Sequence, residues 1–121
     1  MILADTSIWV EHLRKGTGPL AKLLEEGSVV IHPFIIGELA CGSMTNRREI
    51  LNLLAALPIV KIAQHAEAMR FVELNRLYCC GIGWIDVHLL ASALLSGSPI
   101  LTLDRRLRRA AESSGIAGKI I

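Results

Sequence analysis

Ile2-Leu3-Ala4-Asp5-Thr6-Ser7-Ile8-Trp9-Val10-Glu11-His12-Leu13 is an apolar run that closes on an aspartate and passes at once into helix-like sequence. The pattern returns near the other end. There Ile100-Leu101-Thr102-Leu103 closes on Asp104, and Arg105-Arg106-Leu107-Arg108-Arg109-Ala110-Ala111 follows. A strand ending in Asp before a helix, used twice, puts carboxylates beyond the C-terminal edge of a parallel sheet, where open α/β folds place their sites. Asp86 is the third aspartate, and the chain has no other.

Outward from these two junctions, short strands alternate with helices. Strands are predicted at 2–5, Val29–Ile31, Ile59–Ile62, Ile100–Leu103 and Lys119–Ile121. Helices are predicted at Ser7–Arg14, Pro19–Glu26, Phe34–Cys41, 46–57, Gln64–Tyr78, Trp84–Ser96 and Arg105–Ser114, with Gly16, Gly27, Gly42, Pro58 and Gly81 as breakers. On the longest of the middle helices, Glu67/Arg70 and Glu73/Arg76 suit charge pairing. The alternation predicts a three-layer α/β/α domain around a central short-stranded parallel sheet, with right-handed crossovers. No linker or repeat interrupts it, so residues 1–121 are read as one domain.

The chain is 52% hydrophobic but only 4% aromatic, which points to a core of Leu, Ile, Val and Ala. A mean hydropathy of +0.48 implies helices covered on two sides, together with apolar surface that awaits a partner. A membrane span is excluded, because Trp84 to Leu103 is broken by Asp86, His88 and Gly97-Ser98-Pro99. The N-terminus lacks a basic secretory n-region, and Cys41, Cys79 and Cys80 have no ligand spacing. Buried free thiols in a reducing, cytoplasmic protein are expected. Net charge is only +2, but Arg105, Arg106, Arg108 and Arg109 crowd behind Asp104. They form either a solvated helix face or a patch that steers phosphate.

Each acid has a local explanation. Asp5 and Asp104 can cap the helices they precede, and Asp86 can oppose a helix dipole. Glu38 is different, because it stands in Phe34-Ile35-Ile36-Gly37-Glu38-Leu39-Ala40-Cys41, where nothing else is charged. A carboxylate in so apolar a segment is costly unless paired or ligated. All four acids can converge at one sheet edge, where they would repel and need a cation. Mg²⁺ or Mn²⁺ suits such oxygen ligands, whereas zinc is disfavoured; His88 is expected to be structural. Other doubly wound chemistries fail on residues. There is no GxGxxG or Walker loop, no Gly-x-Ser-x-Gly elbow, and Ser7 stands where a phosphoaspartyl phosphatase needs a second Asp.

With these residues in place the chain resembles the PIN-domain superfamily, and specifically the VapC-type toxins of type II toxin–antitoxin systems. The resemblance rests on Asp5-Thr6-Ser7-Ile8-Trp9, on Gly37-Glu38-Leu39, on Gly83-Trp84-Ile85-Asp86 and on Thr102-Leu103-Asp104-Arg105-Arg106-Leu107, in that order. It implies a Mg²⁺- or Mn²⁺-dependent endoribonuclease with Asp5, Glu38, Asp86 and Asp104 as the metal-binding, catalytic cluster. Thr6, Ser7 and Thr102 would support the cluster by hydrogen bonding. It also implies a homodimer, a larger toxin–antitoxin complex, and a cognate antitoxin whose C-terminal segment lies across the first helices; Ile8, Trp9, Leu20 and Leu24 are candidates for that groove or for the core. Arg105, Arg106, Arg108 and Arg109 are candidates for RNA binding. Some relatives carry a further acid where Arg106 stands, which leaves open one metal or two. Two other readings remain: a DNA-directed PIN nuclease, and a non-catalytic partner of a DNA-binding regulator.

Overall fold

A computed structural model describes residues 1–119. In chain order the elements are β1 (Ile2–Ala4), α1 (Thr6–Lys15), α2 (Pro19–Glu25), β2 (Val29–Val30), α3 (Pro33–Ala40), α4 (Arg47–Ala55), α5 (His65–Asn75), α6 (Trp84–Ser96), β3 (Ile100–Leu101) and α7 (Arg105–Ser113). The three strands form one parallel sheet in the order β2-β1-β3. Ile2 pairs with Val29, and Leu3 with both Val30 and Ile100. Successive strand residues point to opposite faces. Leu3 and Ala4, and likewise Val29 and Val30, are all buried, so helices cover both faces of the sheet.

The outer strands are shorter than expected. Ile59–Ile62 is not a strand but a single parallel bridge between Ile59 and Ile31. The ladder ends because the segment it pairs with turns into α3 at Pro33, and residues 59–62 are held instead from α6: the Lys61 N–H donates to Ser96 Oγ at 2.8 Å and the Ala63 N–H to Ser92 Oγ at 2.9 Å. The Val60 N–H, which faces β2, bonds the Ile31 carbonyl, so the serine hydroxyls hold the alternate donors on the opposite edge of the segment. On the other edge, Ala117 bridges to Ile100. Of the expected strand Lys119–Ile121, Lys119 is not extended into a ladder, and residues 120–121 lie outside the described residues.

Ser92 is completely buried on a helix whose residues Val87–Ala93 are all buried. Ser92→Ala would orphan the buried Ala63 N–H and is expected to cost about 1–3 kcal/mol in urea unfolding. Ser96→Ala, at a more exposed site, should stay within about 0.5 kcal/mol.

α5 stops at Asn75 rather than Tyr78, because Arg76 adopts a left-handed conformation at φ 52° and caps the helix. Its Glu67 accepts from the Gln64 N–H at 2.9 Å. Neither Glu67–Arg70 nor Glu73–Arg76 lies within ion-pair distance; among the described residues ion pairs link Glu11 to Arg14 and Lys15, and Lys22 to Glu26. Cys41, Cys79 and Cys80 are free thiols but exposed, which corrects the expectation of burial. They lie at helix ends and in the loop after α5, not on packed faces. No helix among the described residues is long and apolar enough to cross a membrane.

Candidate active site

Asp5 ends β1 and is 5% exposed. Its Oδ1 caps α1 by accepting the Ile8 N–H at 3.2 Å and also accepts the Ser7 hydroxyl, while Oδ2 accepts the Thr102 hydroxyl. A hydroxyl has one proton to give. Ser7 and Thr102 both give theirs to Asp5 and can then accept. Ser7 Oγ takes the Leu103 N–H at 3.0 Å, and Thr102 Oγ1 takes the Asp104 N–H at 3.0 Å. Side chains therefore replace the backbone ladder where β1 and β3 end, which is why β3 stops at Leu101. The network fixes Asp104 relative to Asp5.

Asp104 is exposed and caps α7 through Oδ1, which accepts from the Arg106 N–H at 2.8 Å and the Leu107 N–H at 3.2 Å. Its Oδ2 takes no part in the cap. Glu38 is also exposed and accepts the Thr6 hydroxyl at 2.7 Å, tying α3 to the start of α1. The sequence argument from a costly buried Glu38 therefore does not apply: α3 buries Ile35 and Leu39 and turns Glu38 outward. Asp86 is half-buried in the first turn of α6.

Burial raises the Asp86 carboxyl above its ordinary value, and repulsion from Asp104, Asp5 and Glu38 raises it further against a Gly83 backbone hydrogen bond. Asp5 and Asp104 follow the C-terminal ends of parallel strands β1 and β3, and Glu38 is tied to Thr6 beside them, so Asp86 meets these acids at that end of the sheet. Burial likewise raises Asp5, against its bonds from Ser7, Thr102 and Ile8. The donor set is all carboxylate and hydroxyl oxygen, a chemistry that fits a hard divalent cation. As the side chains stand, however, no three His, Cys, Asp or Glu among the described residues are gathered to ligate one ion. Thr6 and Ser7 both hold acids of this end, and so does Thr102.

His88 lies away from the acids, edge-on between Phe34 and Trp84 at centroid distances of 5.3 and 4.6 Å. Of the candidates for a partner groove, Ile8 and Leu20 are core residues at 7% and 2% exposure, whereas Trp9, 3% exposed, and the partly buried Leu24 also line an apolar cleft between α1, α2 and α4. The arginines divide. Arg108 Nη2 donates to the Thr102 carbonyl at 2.8 Å, bracing the end of β3. Arg106 and Arg109 line a cavity of about 600 Å³ together with Arg76, and Arg105 does not. Arg76 was missed in the sequence because a left-handed cap at a non-glycine residue carries no local signal.

The PIN domain family profile matches residues 2–113. Ribonuclease VapC32 of Mycobacterium tuberculosis, from strains CDC 1551 / Oshkosh and ATCC 25618 / H37Rv, is 43% identical over 118 residues. The match covers 97% of this chain and 95% of that protein.

Proposed function

The chain belongs to the PIN-domain family as a VapC-type member, and from that premise we propose that it is a Mg²⁺- or Mn²⁺-dependent endoribonuclease, the toxin of a toxin–antitoxin pair. The observation that carries the reading is the hydroxyl network at the ends of β1 and β3, in which Thr102 joins Asp5 to the Asp104 backbone and Thr6 holds Glu38 at the start of α1. Similarity to a ribonuclease over nearly the whole chain supports RNA as the substrate.

Asp5, Asp86 and Asp104, with Glu38, would hold the cation. A bound divalent ion supplies Lewis acidity toward the phosphodiester and the attacking water. The chain's own groups do the rest. Ser7 and Thr102 orient Asp5 by donating one hydroxyl hydrogen bond to each of its oxygens, and Thr6 donates to one oxygen of Glu38. Asp104 keeps one oxygen outside its cap and available. Asp86, whose carboxyl is raised like that of Asp5 but whose oxygens are not bound by Ser7 and Thr102, is the group better suited to take a proton from water. Attack by water leaves 5′-phosphate and 3′-hydroxyl ends. Cleavage of labelled RNA with excess unlabelled DNA as competitor tests substrate class: RNA cleavage should persist.

Crowded acids tie activity to stability. Acids raised in the folded state stabilise it only below their ordinary pKa, and that contribution is lost as pH rises through the raised value. At neutral pH, then, Asp86 burdens the fold. Asp86→Asn is expected to raise the melting temperature and lower cleavage at least a hundredfold, roughly. Mn²⁺ should raise the melting temperature of the wild-type protein more than that of the variant. A variant that melts lower, or that gains as much from Mn²⁺, would contradict the shared site.

The same reading carries a cytoplasmic location, a homodimer, and a cognate antitoxin that can join it in a larger complex. An apolar cleft of about 280 Å³ between α1, α2 and α4, lined by Trp9, Leu24, Leu53 and Leu57, suits an antitoxin helix. Leu13 and Ile50 continue it into a second cleft that reaches Thr6 and Glu38.

A further inference from the structure

We propose that the cavity between the end of α5, the loop after it and α7 is a phosphate subsite that holds the RNA backbone beside the scissile position; this rests on the ribonuclease reading. The cavity measures about 600 Å³, within the roughly 300–1,000 Å³ of ligand pockets, and suits a unit of nucleotide size. Arg76, Arg106 and Arg109 line it, and no acidic side chain does. Among the described residues none of the three is within ion-pair distance of a carboxylate. Three guanidiniums lining one cavity repel one another unless an anion joins them.

The wall is built rather than incidental. Arg106 and Arg109 stand three residues apart on α7 and so share a face. Arg76 is presented from across the cavity by the left-handed cap of α5. Gly81 lies beneath Arg106 so closely that a Cβ there would come 2.7 Å from Arg106 Cδ. Glycine at 81 therefore lets the arginine lie flat across the loop.

Position supplies the link to the acids. The Arg106 N–H donates to Asp104 Oδ1, so a residue that lines the cavity stands in the helical turn that Asp104 caps. The loop forming its other wall leads through Gly83 into Asp86. Arg109 lies one turn farther, about 5 Å along α7. A strand whose scissile phosphate sits at the acids would lay its neighbouring phosphate against Arg106, and the next toward Arg109 and Arg76.

The test is binding of a fluorescent single-stranded RNA oligonucleotide in EDTA across a salt series. Arg76→Gln, Arg106→Gln and Arg109→Gln are compared with Arg47→Gln and Arg48→Gln on α4, which make the same charge change elsewhere. Each cavity variant is expected to weaken binding roughly three- to tenfold and to flatten log K against log salt by about 0.7. The α4 variants should match the wild-type protein. Equal effects in the two sets, or no RNA binding by the wild-type protein at low salt, overturn the subsite. Cleavage assays run in parallel separate the two readings. RNA cleaved alike by cavity and α4 variants removes the subsite alone. Cavity-dependent binding without any cleavage by the wild-type protein removes the nuclease reading and keeps the subsite.

Discussion

Asp5→Asn is expected to lower RNA cleavage by about a thousandfold or more while leaving the fold intact. Asparagine matches aspartate in size, and its single carbonyl oxygen can still accept the Ile8 N–H and the Ser7 hydroxyl. Asn is as good a helix cap as Asp, so α1 keeps its start. On the other side the new amide would meet the Thr102 hydroxyl, which can turn to accept. What is lost is the charge. Circular dichroism and melting should look native, and pull-down of an antitoxin should persist. Retained cleavage would remove Asp5 from the site, whereas an unfolded variant would show that its role is mainly structural.

The second large effect is loss of stability in mild acid. His32 is fully buried, its Nδ1 accepts the Phe34 N–H at 2.9 Å, and Nε2 has no partner. Burial, with the neighbouring His88 opposing a second positive charge, lowers its pKa from 6.5 to about 4. A base depressed in the folded state stabilises it above the unfolded pKa, and that stability is lost as pH falls from 6.5 toward 4. The full loss is roughly 3 kcal/mol. Asp5 and Asp86, raised in the folded state, act in the opposite sense over the lower part of this range. His32→Asn isolates the histidine, since asparagine keeps the cap on α3 but does not titrate. Its urea midpoint should depend less on pH between 7 and 5 than that of the wild-type protein. An equal dependence would place the acid sensitivity elsewhere.

Much of the fold can be read from punctuation. Asp5, Pro33 and Asp104 start helices, Gly16 and Gly97 end them, and these signals act through local backbone chemistry. The failures come where distant side chains decide. Ile59–Ile62 has strand composition, yet the segment it pairs with turns into α3 at Pro33, and it is tied to Ser92 and Ser96 of α6 instead. Arg76 ends α5 without a glycine, which also hid its place beside Arg106 and Arg109.

The acids are instructive in another way. The capping explanation of Asp5 and Asp104 holds in the fold, and it does not compete with a shared site, because Asp104 caps with one oxygen only. Glu38 was singled out for burial that it does not have. Its connection to the others is the Thr6 hydroxyl and its repulsion of Asp86. Periodicity cannot show either, since both depend on how α1, α3 and α6 meet.

The central claim, that these four carboxylates form a metal-dependent site where water cleaves RNA, is tested most directly by the chemistry of the cut ends. RNA incubated with purified protein and Mg²⁺ should carry 5′-phosphate and 3′-hydroxyl ends. Cutting should stop in EDTA, return on adding Mn²⁺, and be absent with Asp104→Asn. Cyclic 2′,3′-phosphate ends, or the same cuts in EDTA, would contradict it.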